Sequence, residues 1–94
     1  MHCIFATITP KPNNFEAAEK AILGILESTR KEEGCVQFDV HSNQNRTTLF
    51  LYEQWLDESA LALHYQQQYT KEVFLAYDEW LAKPVDIKVL TRLG

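Results

Sequence analysis

Two kinds of hydrophobic spacing alternate along this chain, and their order leaves few folds open to it. From His2 to Thr9, Ile4, Ala6 and Ile8 alternate with Cys3, Phe5, Thr7 and Thr9, the two-residue period of a strand. Pro10, Pro12 and the Asn13-Asn14 pair stop that strand, and either asparagine can cap the next helix. The period then changes. Phe15, Ala18, Ile22, Ile25, Leu26 and Thr29 share one helical face, with Glu16, Lys20, Glu27 and Lys31 on the solvated side, and Gly34 is read as the terminator. Cys35 to Ser42 reads as a second strand, with Val36, Phe38 and Val40 on one face and Gln37, Asp39 and His41 opposite. Asn43-Gln44-Asn45-Arg46 has the composition of a turn, so Thr48 to Trp55 should complete a hairpin. Asp57 is placed to cap a helix carrying Ala60, Leu61, His64 and Tyr65. Thr70 is placed to cap another, carrying Val73, Phe74, Tyr77, Trp80 and Leu81, with a break between them over residues 66–69. Pro84 separates it from a last strand, Val85 to Leu93.

The order β-α-β-β-α-β is the split βαβ, or ferredoxin-like, arrangement: an α+β domain with an antiparallel four-stranded sheet. Right-handed crossovers place the first strand in the centre, beside the third and fourth, and the second strand at an edge. A chain of 94 residues has room for one such domain, residues 1–94. Cys3 and Cys35 then lie on non-adjacent strands, so free thiols in a reducing compartment are expected rather than a disulfide.

In this fold the helices cover one face of the sheet, and the other face of a monomer should be polar. Here both faces are apolar. Ile4, Ala6 and Ile8 oppose Cys3 and Phe5, while Leu49, Leu51 and Trp55 oppose Phe50 and Tyr52. On the last strand Val85, Ile87 and Val89 oppose Leu90, with Asp86, Lys88 and Arg92 mixed in. Two Trp, four Tyr and five Phe are more aromatic surface than a one-sided core of this size absorbs. A homodimer packed sheet to sheet about a two-fold axis is the expectation; scattered surface apolars on a monomer are the plainer alternative.

Nine Lys and Arg against thirteen Asp and Glu give a formal charge of −4, and the basic residues do not cluster. A nucleic-acid partner is therefore not expected. The longest apolar run, Leu49-Phe50-Leu51-Tyr52, is far below the roughly 20 residues of a membrane span. Met1-His2-Cys3-Ile4 lacks the basic and apolar segments of a signal peptide, so a cytoplasmic protein with no membrane partner is expected.

The element order, the Glu32-Glu33-Gly34-Cys35 stretch leading into Phe38-Asp39-Val40, and Tyr52-Glu53-Gln54-Trp55 resemble the antibiotic biosynthesis monooxygenase (ABM) domain family. So does Ala60-Leu61-Ala62-Leu63-His64 followed by Tyr69 and Phe74. The resemblance runs over essentially the whole chain. It implies a dimeric α+β barrel built from two ferredoxin-like domains. It also implies, for some members, oxidation of quinols or polycyclic phenols by molecular oxygen without metal or flavin. Relatives in the wider superfamily degrade haem, isomerise or process small sugar-derived signals, or have no assigned reaction. The Asn and Trp pair with a downstream His found in the haem-degrading branch is missing here. Fold follows from such a resemblance more firmly than chemistry.

Among residues able to carry chemistry, His64 matches the family's recurring histidine. Imidazole can remove a phenolic or enolic proton, and a deprotonated, electron-rich substrate can itself reduce oxygen. The structural alternative is a histidine that ties the split helix to the sheet. Glu53 shares a strand face with Trp55, and burial there requires either a cationic partner (Arg46, Lys88 or Arg92) or a raised pKa and a proton-accepting role. Trp55, Tyr65, Tyr69 and Phe74 are the candidate pocket lining, with Tyr65 and Tyr69 flanking the helix break. Plain core is the alternative for each.

His2, His41 and His64 lack metal-ligand spacing, and three glycines make no phosphate loop, so neither a metal nor another cofactor is expected. Cys35 as a nucleophile would need a base; by strand parity His41 shares its face but lies roughly 20 Å along the strand. The leading expectation is a cofactor-independent monooxygenase acting on a small aromatic or quinol-like molecule, with His64 and Glu53 as its catalytic pair. An isomerase or lyase using the same pair, and a non-catalytic small-molecule-binding dimer, are the alternatives.

Overall fold

The computed structural model describes all 94 residues. Strand β1 spans His2–Ile8, β2 Cys35–Ser42, β3 Leu49–Trp55 and β4 Asp86–Leu90; helices are α1 Phe15–Gly24, α2 Leu26–Arg30, α3 Glu58–Gln66 and α4 Gln68–Trp80. The sheet order is β2-β3-β1-β4 with every neighbour antiparallel, the ferredoxin-like arrangement expected from the element order. No helix is long and apolar enough to cross a membrane.

Alternation on the central strands dictates the core. Ile4, Ala6 and Ile8 of β1 and Leu49, Leu51, Glu53 and Trp55 of β3 are buried beneath the helices, which contribute Phe15, Ala18, Ile22, Ile25, Leu61, Val73 and Tyr77. Burying Ile4, Ile8, Phe38 and Leu49, each at 1% exposure, contributes roughly 1.5 to 3 kcal/mol apiece. The Tyr77 hydroxyl donates to the Ala18 carbonyl at 2.7 Å, so the one polar atom of that core ring is satisfied and ties α4 to α1.

Four local readings of the sequence give way to geometry. The single helix expected from Phe15 onward breaks at Ile25 (φ −107°, ψ 4°). It breaks just past Gly24, whose missing side chain makes it a poor helix former, and both Ile25 and Thr29 stay buried across the break. Thr70 is not a cap: Gln67 precedes α4, and Thr70 lies buried inside it at 2% exposure. Asp57 does cap α3, its carboxylate accepting from the Ala60 amide at 2.9 Å.

The third concerns β2, which has a bulge between Cys35 and Gln37. Val36 is the extra residue and is 45% exposed, rather than part of the apolar face. The bulge also reverses parity, so Cys35, opposite Trp55, and His41, opposite Phe50, lie on opposite faces of the sheet.

The fourth concerns Gly34, which has no positive φ and so is not a left-handed helix terminator. Its role is contact: a Cβ there would lie 2.3 Å from the Cβ of Ala60, because α3 crosses directly over the entry to β2.

The face of the sheet away from the helices carries Phe5 and Phe50, with ring centroids 5.8 Å apart, and the half-buried Tyr52. β4 shares its inner face with β1 through Ile87 opposite Ala6 and Val89 opposite Ile4. The helices stop short of it, leaving Ile87 43% and Val89 64% exposed.

Candidate functional site

His64 sits in the last turn of α3 and points with Leu61 into the core, 4% exposed. Its ring lies over Trp55 at 4.8 Å between centroids, with Phe38 at 5.8 Å and Tyr65 at 5.7 Å. The Nδ1 atom is 2.8 Å from Oε2 of Glu32, in the turn before β2, and 3.5 Å from the Thr70 hydroxyl. The Tyr69 hydroxyl donates to the same Glu32 oxygen. A carboxylate only accepts, so Nδ1 is the protonated nitrogen and Nε2 is left as the basic one. The crossing of α3 over Gly34 makes this possible, since it brings His64 down onto a residue two positions upstream of that glycine.

Glu53 projects from β3 into the same region at 4% exposure. Its Oε1 accepts from Trp55 Nε1 at 2.9 Å, the two side chains sharing a strand face at i and i+2. None of the cations proposed from sequence reaches it. Arg46 pairs with Glu19 through two contacts of 2.8 and 3.1 Å, Lys88 pairs with Asp86 at 2.9 Å, and Arg92 donates to the Gly94 carbonyl. Burial without a counter-ion pushes the Glu53 carboxyl from 4.5 up to about 7, the Trp55 hydrogen bond opposing the shift and the Glu32 charge adding to it. Burial, and to a lesser extent the Glu53 charge, pushes the Tyr65 phenol up to about 12, so it remains a hydroxyl at neutral pH.

A narrow cavity of about 30 Å³ lies between the helices and the sheet, with Glu53, His64, Tyr65, Thr70 and Phe74 among otherwise mainly aliphatic walls. That is room for a water molecule or two. Tyr65 and Phe74 meet edge to face at 5.8 Å, and Phe74, 38% exposed, stands at the boundary with a groove of about 440 Å³ between α4 and β4.

Of the six residues singled out from sequence, four line this cavity: His64, Glu53, Tyr65 and Phe74. Trp55 does not. It is fully buried, and it supports the His64 ring and the Glu53 carboxyl from behind. Tyr69 lies beyond Glu32, where its hydroxyl also reaches the Ser28 carbonyl at 3.3 Å. Sequence reasoning missed the role of Glu32, reading the Glu32-Glu33-Gly34-Cys35 stretch as a helix end and a family motif without a part for that carboxylate. The available signal was the glycine: a residue without a side chain just before a strand can mark close approach of another element.

Cys35 is half-buried, and burial followed by the charges of Glu32 and Glu53 pushes its thiol up, away from the thiolate a nucleophile needs. Both cysteines are free. No three His, Cys, Asp or Glu side chains are grouped to hold a metal ion.

Known proteins share this architecture and part of the sequence. A protein of Synechocystis, sll1783, is 29% identical over 92% of this chain, which spans 59% of that protein's length. The Mycobacterium tuberculosis protein Rv0793, provisionally named a monooxygenase, is 26% identical over 96% of this chain and 89% of its own. The solved structure of Rv0793 superposes with a TM-score of 0.92, covering 99% of this chain and 95% of that one at 25% identity. The crystal structure of PA3566 from Pseudomonas aeruginosa gives 0.92 at 30% identity, with 99% and 94% covered. The sequence profile of the antibiotic biosynthesis monooxygenase family matches residues 1–80. With helices, three of the four strands and the His64 region all inside that match, the chain belongs to the antibiotic biosynthesis monooxygenase family.

Proposed function

We propose that the chain is a cofactor-independent monooxygenase that oxidises a small aromatic or quinol-like hydroxyl compound with molecular oxygen. One observation carries this reading. His64, held through Nδ1 by Glu32, lines an apolar cavity that also contains a carboxyl able to hold or release a proton near neutral pH. His64 Nε2 takes the proton from the substrate hydroxyl, and the resulting anion, in surroundings poor in water, is the species that gives electrons to oxygen. A ring is larger than this cavity, so binding turns Phe74 outward and joins the cavity to the α4–β4 groove.

Oxygen uptake with chemically reduced quinones tests this. His64→Ala is expected to lower turnover on the order of a hundredfold, the lower range for loss of a positioned general base. Wild type and variant consuming oxygen equally would remove His64 from the chemistry. The near-neutral Glu53 carboxyl beside a histidine equally suits an isomerase or lyase that moves a proton within a small oxygenated metabolite. Turnover in the absence of oxygen selects that reading.

The assembly we propose is a homodimer, packed through the sheet face that carries Phe5, Phe50 and Tyr52. The apolar residues there have no covering layer within one chain. Light scattering after size exclusion is expected to give twice the chain mass, and Phe50→Glu to give a folded monomer. A wild-type monomer at micromolar concentration rules the assembly out.

A further inference from the structure

Apart from the His64 imidazole, the groups that bring charge to the cavity are carboxyls. Glu53 stands in its wall, Glu32 stands one hydrogen bond behind His64, and no lysine or arginine is among the lining residues. The guanidinium on β2's side, that of Arg30, is engaged elsewhere: its Nε donates to the Phe38 carbonyl at 3.0 Å and its Nη2 contacts Asp39 at 3.1 Å. Sites that take carboxylates or phosphates supply a guanidinium fork, a lysine or a cluster of backbone amides. This cavity offers instead acceptors and hydroxyls: the Glu53 carboxyl, the free imidazole nitrogen, and the Tyr65 and Thr70 side chains. The only hydrogen bond the Glu53 carboxyl makes uses Oε1, so its second oxygen is available to a donor.

We propose that Glu53 is a charge filter that admits uncharged, hydroxyl-bearing rings to the cavity and turns away counterparts carrying a carboxylate or phosphate. A neutral hydroxyl can donate to Glu53 or to His64. An anionic group at the inner end of the site meets a carboxylate with no cation in the cavity wall, Lys83 and Asp78 lining only the outer groove. The inference rests on reading the cavity as the substrate site, and it names the class of substrate that site accepts.

Salicylamide and salicylate test it, being closely matched in shape and different in charge. Calorimetric titration of the full chain at about pH 7.5, where about three-quarters of the Glu53 carboxyls are ionised, is expected to give salicylate an affinity about fourfold weaker than salicylamide. In Glu53→Gln the ratio is expected to fall toward one. The same collapse is expected in wild-type protein near pH 5.5, where the Glu53 carboxyl holds its proton while salicylate remains an anion. A ratio that moves with acid as much in Glu53→Gln as in wild type assigns that arm to another group, such as His64, and overturns the filter. Equal affinities at about pH 7.5, a ratio unmoved by both Glu53→Gln and acid, or failure of salicylamide to bind overturns the filter. Salicylamide binding without any oxygen uptake by reduced quinones leaves the filter standing and sinks the oxygenase reading instead.

Discussion

Gly34→Ala is expected to destabilise the fold by about 1 to 3 kcal/mol, the range for an extra methyl forced into a packed contact. It is also expected to cut activity by separating His64 from Glu32. The added Cβ would stand 2.3 Å from the Cβ of Ala60 and 3.4 Å from its Cα, so the obstruction is backbone-proximal and no side-chain rotation relieves it. Either α3 lifts or the start of β2 moves away. In both cases the 2.8 Å contact between His64 Nδ1 and Glu32 opens, because the two partners sit on the two segments being pushed apart. Ala60→Gly removes the colliding methyl and should restore much of what Gly34→Ala loses. By itself, however, a glycine inside α3 costs about 1 kcal/mol. Urea denaturation of the two single variants and the double variant isolates the coupling. A double variant whose loss equals the sum of the singles would show that the two residues do not meet.

The same pair of residues marks what could be read from the sequence and what could not. Strand order, the edge position of β2 and the break between α3 and α4 followed from alternation, capping and crossover handedness, all of which are local or topological. His64, Glu53, Tyr65 and Phe74 were legible as lining one cavity because each is a polar or aromatic side chain on an otherwise core-facing stripe. Glu32 was hidden because its meaning depends on contact with a residue 32 positions away, which no periodicity records. Trp55 was assigned to the pocket on residue type, yet packing places it behind His64. The bulge at Val36 was equally invisible: one unpaired residue leaves composition unchanged but inverts which face Cys35 presents. Pairing Glu53 with a distant arginine failed for a simpler reason, since Arg46 has a nearer bidentate partner in Glu19 and lies over the Phe15 ring.

Left without that cation, Glu53 should impose a measurable pH dependence on stability. Its carboxyl is raised in the fold from 4.5 to about 7, so between those values the folded chain holds a proton that the unfolded chain has released. The Glu53 contribution to stability is therefore expected to be full below about pH 4.5, to fall as pH rises toward 7, and to level off once the folded carboxyl also ionises. The total loss is about 3 kcal/mol, the free-energy equivalent of that shift. Glu53→Gln keeps an oxygen to accept from Trp55 Nε1 but carries no charge, so it should remove the dependence. The informative quantity is the difference in unfolding free energy between wild type and Glu53→Gln, measured by denaturant titration from about pH 4 to 8.5. Titration of groups remote from Glu53 cancels in that difference. The groups around it that do not cancel fully are Glu32 in the turn before β2, Cys35 on β2, and His64 and Tyr65 on α3. The variant should gain on wild type with rising pH and hold its advantage above about pH 7.5. Parallel curves would mean that the Glu53 carboxyl titrates alike in the folded and unfolded chains, and would also remove the proton-holding carboxyl from the site.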